Sequence, residues 1–225
     1  MVKQIDVITI DGPAGSGKST VAKGVAKKLG YLYIDTGAMY RALTLKAVRE
    51  KININDEKSL VDLSENLDIK LEDDKEGLKV FLDGQDVSEE IRSLSISEYV
   101  KYLAKIKDVR KNMVNIQRVL AKRSKGAVME GRDIGTVVFP DAKYKFYLDA
   151  SVDERIKRRY KEFARKGVNV TLDDVKKDVK ERDHSDTTRD AGPLKKASDA
   201  VYIDTTSKTV EHVIEEILKR LLKKS

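Results

Sequence analysis

Five short apolar runs recur along the chain, at residues 5–10, 31–34, 127–129, 144–148 and 200–203, each of a length that suits a buried strand. Between them the apolar spacing lengthens to that of a helix. Val21, Val25 and Leu29 recur every four residues, and Gly30 follows as a stop signal. Met113, Ile116 and Leu120 repeat the pattern, with Asp108 as the expected N-cap and Gly126 beyond the end. The last helix is the clearest: Val210, Val213, Ile214, Ile217, Leu218, Leu221 and Leu222 form one apolar face. Strands alternating with helices predict an α/β fold whose parallel sheet is covered on both faces.

Two stretches break this rhythm. In the first, Ile69 and Leu71 alternate with polar residues, Asp73-Asp74-Lys75-Glu76-Gly77 makes a turn, and Leu78, Val80 and Leu82 alternate again before Asp83-Gly84. That is a β-hairpin inserted into the α/β pattern, with a short third strand around Val87. The second, residues 151–189, is dense in charge. Ser151 with Glu154 and Thr171 with Asp174 both have capping-box spacing, so two helices start there and join near Gly167. Few of its residues can bury apolar surface, which predicts a mobile lid. The chain carries no internal repeat and no low-complexity linker.

The 225 residues suffice for one sizeable core with a small appended module. Charged residues make up 37%, against about a quarter in an average protein, and Lys and Arg exceed Asp and Glu to give a net charge of +7. That balance favours anionic partners. There is no cysteine, which excludes disulfide and thiolate chemistry. His184 lies in a charged run and His212 on the polar side of the last helix, so neither suits a metal site or acid–base catalysis. No apolar run reaches the ~18 residues of a membrane span. Asp6 interrupts any signal-peptide core, and a cytoplasmic protein is expected.

Gly12-Pro13-Ala14-Gly15-Ser16-Gly17-Lys18-Ser19 matches the phosphate-binding loop between a strand and a helix. Its glycines let backbone N–H groups turn inward around phosphate oxygens at the positive end of the following helix. Lys18 reaches the β- and γ-phosphates of ATP, and the Ser19 hydroxyl suits Mg²⁺. No strand ends in the paired acids of helicases and motors, and no guanine-reading motif is present. Instead, arginines stand where an anionic acceptor would need them. Arg41 follows Asp35-Thr36-Gly37 after the second strand. Arg132 stands in Glu130-Gly131-Arg132-Asp133-Ile134-Gly135-Thr136 after the third. Arg182 and Arg189 lie seven apart in the lid, on one face if the helix persists.

These motifs, in this order over the whole chain, resemble those of bacterial cytidylate kinases. The run Gly131-Arg132-Asp133-Ile134-Gly135-Thr136-Val137-Val138-Phe139-Pro140 is highly specific to that family. The resemblance implies a P-loop three-layer α/β/α fold with a five-stranded parallel sheet, a small β insert and a helical lid. It divides the chain into core residues 1–62, an acceptor-binding β insert over 63–95, core residues 96–152, an Arg-rich lid over 153–189, and a strand and C-terminal helix over 190–225. It implies ATP at Gly12, Pro13, Ala14, Gly15, Ser16, Gly17, Lys18, Ser19, Thr20 and Arg158, with Mg²⁺ on Ser19. CMP or dCMP would meet Thr36, Tyr40, Arg41, Arg110, Arg132, Asp133, Arg182, Asp186 and Arg189. Arg41, Arg132 and Arg189 would hold its phosphate, Arg182 and Asp186 would lie near its ribose, and Arg110 and Asp133 would read its base. Lys18, Arg132 and Arg182 would be catalytic. Lys101 stands where many relatives place a serine near the base. The residues alone also admit another small anionic acceptor such as UMP or shikimate, or an ATP-dependent nucleic-acid-binding protein. The family reading expects a monomer that binds neither nucleic acid nor membrane.

Overall fold

The computed structural model describes residues 6–73, 78–165 and 167–222. Its centre is a five-stranded parallel sheet built from β1 (Asp6–Asp11), β2 (Leu32–Asp35), β6 (Gly126–Gly131), β7 (Tyr144–Asp149) and β8 (Val201–Asp204), in the order β2-β6-β1-β7-β8. The register places Asp11 beside Gly131 on β6 and beside Tyr147 on β7. All five expected strands form, with ends shifted by one or two residues. Residue 5 lies outside the described residues, as does the hairpin turn at 74–77.

Each central strand is buried on both faces, which is why its sequence reads as a continuous apolar run rather than an alternating one. Ile8, Ile10, Phe146, Leu148 and Ile203 point to one layer, formed by α1 (Lys18–Leu29) and α8 (Val210–Leu222). Val7, Ile34, Ala127 and Met129 point to the other, formed by α2 (Thr36–Arg49), α3 (Glu57–Glu65) and α5 (Lys107–Lys122). The start of α5 corrects the expectation for Asp108. Ile106 occupies the N-cap without a side-chain bond, and Asp108 sits in the first turn, where its charge favours the positive helix end. Gly126 opens β6 instead of merely ending the helix before it.

The insert is a three-stranded antiparallel sheet of β3 (Ile69–Asp73), β4 (Leu78–Leu82) and β5 (Gln85–Asp86). Its inward residues Ile69, Leu71, Val80 and Leu82 join the same apolar cluster as α2, so it extends the main core. A 3₁₀ turn (Glu90–Arg92) and α4 (Leu94–Leu103) return the chain to the core.

The helical pair is α6 (Val152–Arg165) and α7 (Leu172–Thr188). The Thr171–Asp174 capping box forms in full. At Ser151 only half forms: its hydroxyl accepts from the Glu154 N–H at 3.3 Å, while the Glu154 carboxylate turns to Arg158 at 2.9 Å. The pair also buries more than its composition predicts, closing a small core of Ile156, Phe163, Val175 and Val179. Arg189 falls one residue past the end of α7, as its C-cap.

Candidate active site

Parallel strands present all their C-terminal ends to one edge of the sheet, and every charged loop of interest lies on that edge. The loop after β1 wraps between Gly12 and Ser19. Gly15 and Gly17 adopt φ of +78° and +83°, a left-handed backbone that favours glycine. A Cβ on Gly12 would lie 2.0 Å from the Leu148 carbonyl oxygen of β7, so no larger residue fits beside that strand. Inside the loop the Lys18 ammonium donates to the Pro13 carbonyl at 3.1 Å. Its burial, and next the charge of Arg132, push it down to about 7 against the opposing pull of Glu130. Ser16 is buried and its hydroxyl has no hydrogen-bond partner among the described residues, whereas Ser19 and Thr20 are exposed.

Glu130, at the end of β6, contributes something the motif reading overlooked. Its buried carboxylate accepts from the Tyr33 hydroxyl at 3.1 Å and from the Ser19 side chain, and lies 3.9 Å from the Lys18 ammonium. Burial raises its pKa, and the charge of Asp35 adds to that rise. The local run Glu130-Gly131-Arg132-Asp133 shows no acidic pair. Only the adjacency of β6 and β1 reveals that Glu130 faces the phosphate loop. Ser19, Glu130 and neighbouring Asp35 form a hard-oxygen donor set that suits Mg²⁺. Among the described residues no group of three or more His, Cys, Asp or Glu could hold a metal. An ion here would therefore take most of its ligands from bound phosphate.

Next to this loop lies a dense cluster of arginines. Asp35 N-caps α2 by accepting from the Ala38 N–H at 2.8 Å, and pairs with Arg41 at 3.3 Å. The Arg41 Nε is buried without a hydrogen-bond partner among the described residues. The Thr36 hydroxyl donates to the Glu130 carbonyl at 2.8 Å, tying α2 to β6. Arg132 pairs with Asp186 of α7 at 2.6 Å, and Arg189 lies 3.5 Å from the same carboxylate. Burial pushes Asp186 upward, but Arg132, Arg189 and Arg182 outweigh it and hold the carboxyl below its usual range. Arg182 has no hydrogen bond or ion pair among the described residues. Burial, followed by the charges of Arg132 and Arg159, pushes its guanidinium down to about 10. A half-buried cation without a hydrogen bond or ion pair, set among like charges, is a site prepared for an anion.

Further along the same edge, Arg110 and Asp133 meet at 2.5 Å, both buried. Arg110 also donates to the Ala104 carbonyl at 3.1 Å and lies over the Tyr40 ring, 5.5 Å from its centroid. The Tyr40 hydroxyl is buried without a hydrogen-bond partner among the described residues, and burial raises its pKa to about 12. Gly192 closes this pair from the far side, where a Cβ would meet Asp133 Oδ2 at 2.2 Å.

Two residues sit differently from the rest. Arg158 is engaged behind the phosphate loop, donating to the Thr205 hydroxyl at 3.0 Å and the Thr205 carbonyl at 2.6 Å. The Thr205 hydroxyl in turn donates to the Ser16 carbonyl at 2.9 Å. Lys101 is exposed, its ammonium 5.6 Å above the ring of its neighbour Tyr102. Arg155, which sequence reasoning did not single out, ties the loop to the helical pair. It bonds the Ala14 carbonyl at 3.3 Å and Asp183 of α7 at 2.9 Å.

The arrangement is thus a phosphate loop, an arginine cluster beside it and a hydrogen-bonding pair beyond. That is the layout of a site that brings two anionic ligands end to end. The family model for cytidylate kinase matches residues 8–223. The cytidylate kinase of Clostridioides difficile is 49% identical over 215 residues, covering 96% of this chain and 97% of that protein. Those of Caldanaerobacter subterraneus and Pelotomaculum thermopropionicum are 50% and 51% identical, each covering about 95% of both chains. Among solved structures, TT1252 from Thermus thermophilus is 20% identical, covers 99% of this chain and 98% of its own, and superposes with a TM-score of 0.52, which speaks for the fold alone. Matched from the first strand to the last helix, this chain belongs to the cytidylate kinase family.

Proposed function

We propose that this protein transfers the γ-phosphoryl group of ATP to the phosphate of CMP, and of dCMP, as a cytoplasmic monomer acting on free nucleotides. The observation that supports the reading is that the charges of Arg132 and Arg182 act on Lys18 of the phosphate loop, while Asp186, paired with Arg132, also acts on Arg110 of the Arg110–Asp133 pair. The nucleophile is a phosphate oxygen of the acceptor, already anionic at neutral pH, so no general base is needed. Catalysis then rests on alignment and on neutralising charge as the phosphoryl group moves in line. Lys18 serves the β- and γ-phosphates. Arg132 and Arg182 face the transferring group, and Arg41 and Arg189 hold the acceptor's phosphate. Asp186 orders these arginines and lies beside the ribose. Ser19, supported by Glu130, would hold Mg²⁺, which would supply charge neutralisation on the phosphates.

At the base, Asp133 accepts from the exocyclic amine of cytosine, and Arg110 donates to the ring acceptors. Uracil offers a carbonyl in place of that amine, which leaves a buried carboxylate facing an acceptor. Such a mismatch costs about 1–3 kcal/mol. A coupled assay of ADP release with CMP, dCMP, UMP, AMP, GMP and no acceptor tests the reading. CMP or dCMP is expected to be preferred over UMP by about 10–100-fold, with little turnover when the acceptor is omitted. Asp133→Asn should narrow the CMP-to-UMP ratio. Rapid hydrolysis of ATP alone would show an ATPase.

Donor binding carries its own signature. At pH 8 a Lys18 with a pKa of about 7 is mostly neutral. Phosphate oxygens stabilise its charged form, so its pKa rises and a proton is taken up. Calorimetric titration with Mg·ATP in buffers of different ionisation enthalpy should read net uptake approaching about one proton. Net release would remove Lys18 as the group that titrates.

A further inference from the structure

The turn after Asp133 is capped from an unexpected direction. Residues Ile134–Val138 form a single wide turn, and Asp133 occupies its N-cap position. An aspartate there ordinarily bonds the exposed N–H groups of its own turn. Asp133 makes no such bond, and its carboxylate goes to Arg110. The exposed N–H groups are met instead by Asp11, whose two oxygens accept from Ile134 at 2.9 Å and from Gly135 at 2.8 Å. Asp11 is buried at the end of β1, the middle strand of the sheet, and Gly12 of the phosphate loop follows it directly. The fit is close: a Cβ on Gly135 would meet Thr9 Oγ1 at 3.0 Å and Asp11 Oδ2 at 3.4 Å.

We infer that Asp11 is a specificity-positioning residue, which caps the Ile134–Val138 turn and so leaves the Asp133 carboxylate free for Arg110 and the acceptor's base. Without the cap, the turn's N–H groups compete for Asp133, the nearest carboxylate in the chain. The inference rests on the base-reading role proposed above for Asp133.

The test compares kcat/KM for CMP and UMP in the wild type, Asp11→Asn, Gly135→Ala and Asp133→Asn, with folding checked by circular dichroism. Asp11→Asn keeps the side-chain size but presents an amide N–H₂ to one of the two N–H groups. Gly135→Ala leaves Asp11 intact and pushes the turn away from it. Either folded variant is expected to lower the CMP-to-UMP ratio by about fivefold or more, mainly through KM for CMP, with KM for ATP within about twofold of wild type. If Asp133→Asn changes the ratio and a folded Asp11→Asn or Gly135→Ala does not, the role of Asp11 is refuted while base reading stands. If Asp133→Asn leaves the ratio untouched, base reading itself fails.

Discussion

Arg182→Met is expected to lower kcat with CMP by about 10³-fold or more, while the folded protein loses no stability. The two effects have one cause. Arg182 has no hydrogen bond or ion pair among the described residues, and burial together with Arg132 and Arg159 outweighs the attraction of Asp186 and destabilises its charge in the free protein. That cost is recovered only when phosphates arrive, most fully as negative charge spreads during transfer. Removing the guanidinium takes away transition-state stabilisation and relieves repulsion in the same step. The thermal midpoint should be unchanged or higher, by about 2–4 °C for each kcal/mol of repulsion removed. Steady-state kinetics and a thermal melt on one preparation decide it. A variant with normal kcat, or one that is slow and clearly less stable, would make Arg182 a structural residue.

The second large effect concerns the phosphate loop. Gly12→Ala places a methyl group 2.0 Å from the Leu148 carbonyl oxygen, a contact with backbone on β7 that no side-chain rotation relieves. Either the ends of β1 and β7 separate where Asp11 pairs with Tyr147, or the loop leaves its position. The expected cost is about 3 kcal/mol or more, a fall in melting temperature of about 6–12 °C, with loss of ATP binding. Gly30→Ala is the matched comparison. Gly30 ends α1 with φ +65° and nothing within 4 Å of an added Cβ, so only backbone strain is incurred, about 1 kcal/mol. Equal losses at the two positions would show that glycine flexibility, and not the contact with Leu148, governs the loop.

How much of this was legible in the sequence depends on the range of each interaction. The phosphate loop is eight consecutive residues, and its chemistry is local, so Lys18 and Ser19 were recognisable from spacing. The strands were legible because burial on both faces makes them uniformly apolar. α2 was not. Thr36, Ala38, Met39, Tyr40, Ala42, Leu43, Thr44, Leu45 and Ala47 are all buried, so no polar face marks the helical period. The helical pair concealed its core for a different reason. Ile156, Phe163, Val175 and Val179 are diluted among charges in sequence and meet only when the two helices pack.

The cationic character of the site was also a property of the sequence, since Arg41 and Arg132 closely follow strand ends and Arg182 and Arg189 stand in one charged run. Which of them is free to meet a ligand was decided by the fold. Arg158 and Arg182 read alike in a charged run, yet Arg158 is hydrogen-bonded to Thr205 and Arg182 has no hydrogen bond or ion pair among the described residues. The same holds for the acids. Glu130 faces Lys18 because β6 lies beside β1, and Asp11 caps a turn 123 residues away in the chain. Residue type and near-neighbour spacing thus determined the loop chemistry, the strands and the sign of the charge. The pairing of charges across more than a hundred residues followed from strand order, which a linear pattern does not contain.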